Sequence, residues 1–353
     1  MNAAIAAARL DNQCITASQR RRPEDVVARL GAVQAQEYPS ARWALALRMR
    51  DGATAASIDR AVDDGRIIRT HVLRPTWHFV VAGDLRWMLA LTAPRVRQAL
   101  AFANRYYQLD PALRARATSI FERALGDGGC LTRQELGDAL KRARVAVTGV
   151  RLALLTVDAE VEGIICSGPA RGAQMTYALL ASRVPAAATV ERDEALGELT
   201  RRYLKSHGPA SIRDLSWWSG LTTKDARRGV EIARARQHAI DGISYWTIGD
   251  LPRRSPSRAD VHLLPIYDEY LVAYRDLAAV PGPPATRGRL QPALVIGGAI
   301  AGTWRALRAK DGAALQVTPD RRLSEQERRA LARTVDRYER FAGVRVSLTI
   351  KST

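Results

Sequence analysis

The chain has 353 residues, 47% of them hydrophobic, which is enough for a sizeable core and for two or three domains. No apolar run approaches the roughly 18–20 residues of a membrane-spanning helix, and the alanine-rich start lacks a signal-peptide pattern, so we expect a cytoplasmic protein without a membrane partner. The net charge of +18 comes almost entirely from arginine, which favours a nucleic-acid partner over a mere effect of GC-rich codons.

The first unit, residues 1–82, is predicted to be a group of helices followed by a β-hairpin. Four helices are expected, around Ala3–Leu10, over Glu24–Gln34, near Arg42–Arg50 and over Ala55–Asp63. The β-branched and aromatic run that follows predicts a hairpin with strands at Arg66–Leu73 and Thr76–Val81, separated at Pro75. Three helices and a hairpin are the content of a winged helix-turn-helix.

The second unit, residues 83–185, repeats this order. Helices are predicted over Gly83–Tyr107, over Pro111–Leu125, from Thr132 onwards and, as a long apolar helix, over Val150–Cys166. Glu135 lies three residues after Thr132, which is the spacing of a capping box. The run AQMTYALL is expected to form a short wing strand.

The third unit, residues 186–258, has the clearest pattern. A helix over Arg192–His207 is followed by a second helix that begins with Ser211 as its cap and stops at Gly220, and by a basic helix capped by Thr222 or Thr223. Asp241-Gly242 is the strongest short hairpin signal in the chain. This is the winged-helix order, and a basic loop at 251–258 closes the unit.

The last region, residues 259–353, changes character. Strands and turns are predicted in VHLLPIYDEYLVAYRD and ALVIGGAIAGTWRALR, with a loop at Pro281–Pro284, a polar helix over Ser324–Phe341 and a final strand at Val344–Ile350. We expect this mixed region to pack on the third unit. The predicted fold is therefore mainly α with short β-hairpins (α+β), with tandem winged helix-turn-helix units and a small mixed C-terminal region.

The sequence predicts neither a metal nor a cofactor. Cys14, Cys130 and Cys166 lack the spacing of a metal site, and their odd number argues against a disulfide framework. His71 and His78 lie seven residues apart on a predicted hairpin, which matches no zinc or iron ligand set. The glycines at 126–129 are not followed by the lysine and serine of a phosphate-binding loop.

Two glutamines in GAVQAQEYPSARW, Gln34 and Gln36, are the first candidate site residues. Residues i and i+2 do not share a helix face, but they project the same way where the chain is extended. Pro39 disfavours helix at Tyr38, so an extended segment here is plausible. The alternative is two exposed amides at a helix end.

The predicted hairpin supplies further candidates. Strand alternation places Arg74, Thr76 and His78 on one face and Trp77 and Phe79 on the other. The polar face could meet phosphate or a ligand, or it could form internal hydrogen bonds.

Several motifs resemble those of the winged-helix DNA glycosylase family typified by AlkZ and YcaQ. They are LRPTWHFV (73–80), HGPASIRDLSWWSGL (207–221), LLPIYDEYLVAYRD (263–276) and IAGTWR (300–305), and they occur in order over most of the chain. The family signature is Gln, one residue, then Gln or Asp. The resemblance therefore implies that Gln34 and Gln36 are the catalytic pair, and that His71, Arg74, Thr76 and His78 belong to a hairpin that binds DNA or the lesion.

Other residues in these motifs are expected to be structural. Trp217 and Trp218 lie in a helix-turn-helix scaffold and are expected in the core. Tyr267, Asp268, Glu269 and Tyr270 match the family motif and could brace the third unit against the tail.

The implied function is that of a monofunctional DNA glycosylase, which excises N7-alkylated purines in double-stranded DNA for base excision repair. Such a base is already cationic and leaves as a neutral molecule without a proton. Two amides could then suffice to hold the attacking water and to stabilise an oxocarbenium-like sugar. Unhooking of interstrand crosslinks and resistance to a genotoxin are further activities that the resemblance raises.

Several features bear on this mechanism and on the alternatives to it. Glu37 is a lesser candidate for the base, and the scarcity of lysine disfavours a Schiff-base lyase. A non-catalytic winged-helix regulator or architectural protein is the alternative function, but such a protein would have no use for the glutamine pair. Sequestration of an alkylating metabolite would need an apolar pocket that the sequence does not reveal. We expect a monomer associated with the nucleoid.

Overall fold

The computed structural model describes residues 2–50, 53–126, 128–249, 257, 260–275, 277, 279–282, 291–309 and 312–351, and every statement below concerns these residues. The architecture is α+β, since helical units carry small sheets and a larger mixed sheet lies near the C-terminus. No helix within these ranges is long and apolar enough to cross a membrane.

The first unit contains four helices and a three-stranded sheet. The helices are α1 (Asn2–Asn12), α2 (Pro23–Leu30), α3 (Tyr38–Leu47) and α4 (Ala55–Asp63), and the strands are β1 (Val33–Gln34), β2 (Ile67–His71) and β3 (Trp77–Val81), in the order β1-β3-β2. The predicted helix over Glu24–Gln34 is too long. Gly31, at φ 83°, ends α2, and the chain then extends along β3.

The second unit contains helices around a second three-stranded sheet. Its elements are α5 (Ala82–Tyr106), α6 (Pro111–Leu125), β4 (Leu131–Thr132), α7 (Arg133–Arg142), α8 (Gly149–Val161), β5 (Ile165–Ser167), β6 (Thr176–Leu179) and α9 (Leu180–Arg183). The capping box of Thr132 and Glu135 is confirmed. The predicted helix over Val150–Cys166 is wrong at its end. Gly163, at φ 72°, turns the chain, and the buried strand β5 pairs with β6.

The third unit follows its predicted order closely. Its elements are α10 (Arg192–His207), α11 (Ile212–Ser219), α12 (Thr223–Ile232), β7 (Arg236–Ile240) and β8 (Ile243–Thr247). Ser211 and Thr222 cap the second and third helices through capping boxes. Gly220 ends α11 in the left-handed conformation, and the hairpin turns at Asp241-Gly242. Apart from Ser257, the predicted basic loop at 251–258 lies outside the described residues, as do Pro283 and Pro284.

The C-terminal region forms a five-stranded sheet with two helices. Its elements are β9 (Val261–Leu264), α13 (Glu269–Val272), β10 (Ala293–Ile296), β11 (Ala299–Ala309), β12 (Gly312–Pro319), α14 (Glu325–Ala342) and β13 (Val346–Ile350). The strand order is β13-β12-β11-β10-β9, and the β12–β13 pair is parallel. The prediction of strands and turns in VHLLPIYDEYLVAYRD holds for β9 but omitted the short helix α13, which Asp268 caps.

The C-terminal sheet packs on the first unit, and not on the third unit as the sequence predicted. Leu30, Val33 and Trp43 share one buried core with Leu263 and Leu294. The indole Nε1 of Trp43 also donates a hydrogen bond to the carbonyl of Leu263 at 2.7 Å. The segment around α13 also contacts the third unit, where Trp217 donates to the carbonyl of Val272 and Trp218 donates to Glu269. That segment therefore lies between the two units and brings their residues together.

Candidate active site

Gln34 and Gln36 lie on an extended segment beside strand β3. Gln34 pairs with His78 across the sheet, and the N–H of Ala35 donates to the carbonyl of Trp77 at 2.7 Å. Ala35 is fully buried in the core, while Gln36 is half-buried. Because alternate residues of an extended chain face the same side, both amides project away from the core-facing Ala35. Two residues that are only two positions apart can therefore lie on the same face of the chain.

Gln34 is held from both its backbone and its side chain. Its N–H donates to Oε1 of Glu269 at 2.7 Å, and its own Oε1 accepts a hydrogen bond from Nη2 of Arg74 at 2.9 Å. The side chain is 7% exposed. Gln34 is thus fixed by residues from the hairpin and from the C-terminal region.

Gln36 is held mainly through its backbone. Arg69 donates from Nε to the carbonyl of Ala35 at 2.9 Å and from Nη2 to the carbonyl of Gln36 at 3.3 Å. The Gln36 Oε1 accepts the N–H of Trp77 at 3.4 Å. The Arg69 guanidinium also lies 4.1 Å from the centre of a Trp77 ring. Arg69 was not predicted, because no pattern in the run RIIRTH indicates that this side chain bonds to the backbone of residues 35–36.

The predicted polar face of the hairpin holds buried polar atoms that lack protein partners. Within the described part of the chain, Nε of Arg74, Oγ1 of Thr76 and Nε2 of His78 make no hydrogen bond. Arg74 and Thr76 lie in the connection that precedes β3, and His78, two residues after Thr76, lies in β3 opposite Gln34. Buried polar atoms are usually satisfied, so this concentration beside Gln34 marks a polar site.

His78 is a neutral side chain in this site. It is fully buried, and its Nδ1 lies 2.9 Å from the carbonyl of Thr76. Burial, followed by the charge of Arg74, lowers the pKa of His78 to about 3. The imidazole therefore carries no positive charge near neutral pH.

His71 lies on the opposite side of the hairpin from this cluster of polar atoms. Its Nδ1 is 2.5 Å from Oε2 of Glu160 on α8, and its ring centre lies 4.6 Å from that of Trp77. Both His71 and Glu160 are buried. The pair joins the first unit to the second. A role of His71 or His78 in binding DNA or the lesion stays a prediction that their burial does not favour.

A buried carboxylate lies directly behind the glutamine strand. Glu269 is 0% exposed, and its Oε2 accepts a hydrogen bond from Nε1 of Trp218 at 3.0 Å and lies 3.4 Å from Nε2 of His207. Burial alone would raise the pKa of Glu269. The contacts with His207 and the Gln34 N–H, together with the charge of Arg74, outweigh burial and lower this pKa to about 2. Glu269 is therefore ionised near neutral pH.

A first cleft opens next to Gln34. This arginine cleft is lined by Arg74, Arg95, Arg213, Arg275 and Trp217, among others, and has a volume of about 470 Å³. None of its lining residues in the described part of the chain is acidic. Arg74 lines this cleft and also bonds to Gln34, so a ligand in the cleft lies one side chain away from the glutamine pair.

A second cleft opens next to Gln36, between the first and second units. This aromatic cleft is lined by Arg69, Trp77, Tyr177, Val150 and Met175, among others, and has a volume of about 770 Å³. Trp77 lines it and donates its N–H to the side chain of Gln36. Neither glutamine lines a cleft itself, but each is bonded to a lining residue, Gln34 to Arg74 of the arginine cleft and Gln36 to Trp77 of the aromatic cleft.

The two neighbouring tryptophans of the third unit differ in exposure. Trp218 is fully buried, as predicted, and bonds to Glu269. Trp217 is 41% exposed, so its predicted place in the core is wrong. Its Nε1 donates to the carbonyl of Val272, which leaves much of the ring on the wall of the arginine cleft, 5.1 Å from the Arg275 guanidinium.

Glu37, the lesser candidate for a base, is exposed at the start of α3. In an extended chain the neighbour of Gln36 faces away from it, so Glu37 lies on the other side of the strand from the amides.

Comparison with known proteins identifies the family. The model of the family described as "DNA glycosylase AlkZ-like" matches residues 27–341. An interstrand DNA cross-link repair glycosylase from Streptomyces sahachiroi is 27% identical over 338 residues, which cover 88% of each chain. The solved structure of the DNA glycosylase AlkZ from the same organism is 23% identical, superposes with a TM-score of 0.82 over 99% of each chain, and shares the fold. The alternative function of a non-catalytic regulator is therefore not retained. The chain belongs to the AlkZ-like DNA glycosylase family and is itself a DNA glycosylase.

Proposed function

We propose that this DNA glycosylase excises N7-alkylated, cationic purines by monofunctional hydrolysis, with Gln34 and Gln36 as its catalytic pair. The observation that carries the proposal is the segment that presents both amides on one side, with Gln34 bonded to a residue of the arginine cleft and Gln36 to a residue of the aromatic cleft. Amides are weak bases, so the reaction needs a substrate whose base departs without protonation. An N7-alkylated purine meets this requirement because it is already cationic.

The two amide oxygens have capacity for this role. Each carbonyl oxygen carries two acceptor lone pairs, and each accepts one hydrogen bond from the protein, from Arg74 in Gln34 and from the Trp77 backbone in Gln36. One acceptor site remains on each oxygen. We assign these sites to the attacking water and to the positive charge that develops on the sugar.

A monofunctional reaction is supported by the lysine content. Excision with a Schiff base needs a lysine amine close to the sugar. Among the described residues, no lysine lines either cleft or bonds to the glutamine pair. The product is therefore expected to be an intact abasic site.

The surroundings of the pair fit duplex DNA with bulky lesions. We infer that phosphates bind in the arginine cleft, since guanidinium groups pair with phosphate oxygens. We propose that Arg74 and Thr76 meet the lesion, because both are half-buried and each has a buried polar atom without a protein partner in the described part of the chain. The Streptomyces relative is described as a cross-link repair glycosylase. The open clefts fit unhooking of crosslinks by this chain too, because a crosslinked base cannot enter a closed pocket.

The overall organisation is proposed along the same lines. We infer winged-helix units at residues 1–82, 83–185 and 186–258, followed by the mixed region at 259–353, and we infer that the protein acts as a monomer. The third unit supports this reading most directly, with helix, Gly220 turn, helix and hairpin in order.

The test uses a duplex that carries a single N7-methylguanine. Wild-type protein, Gln34→Ala/Gln36→Ala and the control Gln326→Ala, an exposed glutamine on α14, are incubated with it, and alkali then converts abasic sites to strand breaks. We expect breaks from the wild type and the control, and a loss of at least about 100-fold in the double variant with DNA binding retained.

Two outcomes would contradict the proposal. Undiminished breaks from the double variant would overturn the assignment of the glutamine pair. An absence of breaks from the wild type would overturn N7-methylated purines as the substrate class.

A further inference from the structure

Two opposite charges hold Gln34 from its two ends. The guanidinium of Arg74 donates to the side-chain oxygen at 2.9 Å, and the carboxylate of Glu269 accepts the backbone N–H at 2.7 Å. Each charge also favours the charged form of the other. The pair is not in direct contact, so Gln34 lies between a cation and an anion.

The guanidinium creates an electrostatic problem for the proposed reaction. Positive charge resides on an N7-alkylated base and then develops on the sugar as the bond breaks. Arg74 lies against the amide that faces this charge and repels it. His78, on the same hairpin, adds no charge because burial keeps it neutral. A compensating anion is therefore needed nearby.

Glu269 is placed to supply this compensation. It comes from α13, 235 positions away in sequence, and it is completely buried, so water screens its charge only weakly. It has no arginine or lysine bonded to it among the described residues. Its partners are the Trp218 indole, the His207 ring and the Gln34 N–H. Burial lowers the pKa of His207, so the imidazole 3.4 Å from Oε2 favours its neutral form and leaves the negative charge of Glu269 without a direct ion pair near neutral pH.

We propose that Glu269 is a positioning residue with a second, electrostatic task. It fixes the strand that bears Gln34, and its charge balances that of Arg74 so that the site accepts a cationic sugar. This inference rests on the proposed function. A purely structural brace would affect all ligands alike, whereas charge compensation affects cationic ligands selectively.

The experiment compares binding to two duplexes that differ only in charge at the lesion. One carries a pyrrolidine abasic analogue, which is cationic, and the other carries tetrahydrofuran, which is neutral and of similar shape. For the wild type we expect tighter binding of the pyrrolidine duplex. Glu269→Gln keeps the size of the side chain and should reduce this preference about tenfold, which corresponds to a coupling of one pKa unit.

Arg74 provides the reciprocal test. Arg74→Gln should increase the preference for the cationic duplex, and Arg74→Gln/Glu269→Gln should return it towards the wild-type value. The matched control is Glu327→Gln, which removes another buried carboxylate from the start of α14 and should leave the preference unchanged.

The folding of each variant is measured in a separate experiment. In Glu269→Gln, an amide N–H₂ could face the indole N–H of Trp218, so a second comparison uses Trp218→Phe with and without Glu269→Gln. Circular dichroism melts establish that each variant is folded.

The outcomes separate structural from electrostatic roles. Equal weakening of both duplexes by Glu269→Gln, or no recovery in the double variant, would reduce Glu269 to a brace and overturn the proposal. A wild type without preference for the cationic duplex would overturn it too. Binding is read out without excision, so these results are independent of the N7-methylguanine assay that tests the proposed function.

Discussion

The arginine cleft yields a quantitative prediction about salt dependence. Of its four arginines, Arg74 is bonded to Gln34, and Arg95 donates to the carbonyl of Gly220 and to the side chain of Gln98. Arg213 and Arg275 have exposed side chains and pair with no carboxylate in the described part of the chain. They are the two that are free to bind phosphates. The perturbation is therefore Arg213→Gln/Arg275→Gln.

The expected magnitude follows from the release of counterions. Each phosphate that a protein neutralises contributes about −0.9 to the slope of log K against log salt concentration. Loss of two contacts should make the slope less negative by about 1.8. Over a fourfold increase in salt, the variant should then lose roughly twelvefold less affinity than the wild type does.

The assay is fluorescence anisotropy with a labelled undamaged duplex at several salt concentrations. Arg322→Gln/Arg333→Gln removes the same charge from exposed positions of the C-terminal region and serves as the control. Its slope should change far less. If the cleft variant and the control change the slope equally, or if the cleft variant retains the wild-type slope, the assignment of the cleft to phosphates is refuted.

Three further predictions concern stability. Gly220→Ala should lower the free energy of unfolding by at least about 1–2 kcal/mol and reduce excision, because the residue has φ +69° and a Cβ would lie 2.1 Å from the carbonyl oxygen of Leu73. Thermal melts and strand-break assays measure these two effects. An unchanged melting temperature would contradict the prediction. Glu327 has a pKa lowered from 4.5 to about 2, first by its bond to Arg321, so it stabilises the fold above pH 4.5 and this stability is lost as pH falls through 2. Glu327→Gln should accordingly flatten the pH dependence of urea denaturation between those values, and a dependence as steep as that of the wild type would refute the role. Arg48→Met should cost about 3–5 kcal/mol in urea denaturation because it removes the arginine partner of Asp268 from a pair whose side chains are both 0% exposed. A cost below about 1 kcal/mol would contradict this.

Local signals in the sequence predicted the elements that local chemistry controls. The capping boxes at Ser211 and Thr222, the Gly220 stop and the Asp241-Gly242 turn all act within a few residues, and all are present. The end of α2 was missed because the extension at Gln34 depends on pairing with a strand more than forty residues later. The spacing of apolar residues predicts a helix, but it does not reveal that strand pairing competes with the helix at this position.

The candidate site was predictable only in part. The glutamine pair was predicted from its sequence pattern and from the motif resemblance, but neither indicates which residues surround the two side chains. Arg69 was not predicted, and Glu269 was expected only as a possible brace of the third unit. Both bond to backbone atoms of residues distant in sequence, 33–34 positions away for Arg69 and 235 for Glu269. The exposure of Trp217 was missed because a pair of adjacent tryptophans does not say which ring faces the core.

The bond between Glu269 and the Gln34 backbone has a consequence for synthesis of the protein. Both glutamines leave the ribosome early, yet the carboxylate that fixes their strand is translated only after the first three units. A nascent chain, or a fragment truncated before β9, carries the proposed catalytic pair without Glu269 and without the Trp43–Leu263 bond that joins the first unit to the C-terminal sheet. On the proposed role of the glutamine pair, we expect the capacity to cut glycosidic bonds to appear only after Glu269 has been translated, so chains that end before β9 should be inert towards DNA bases.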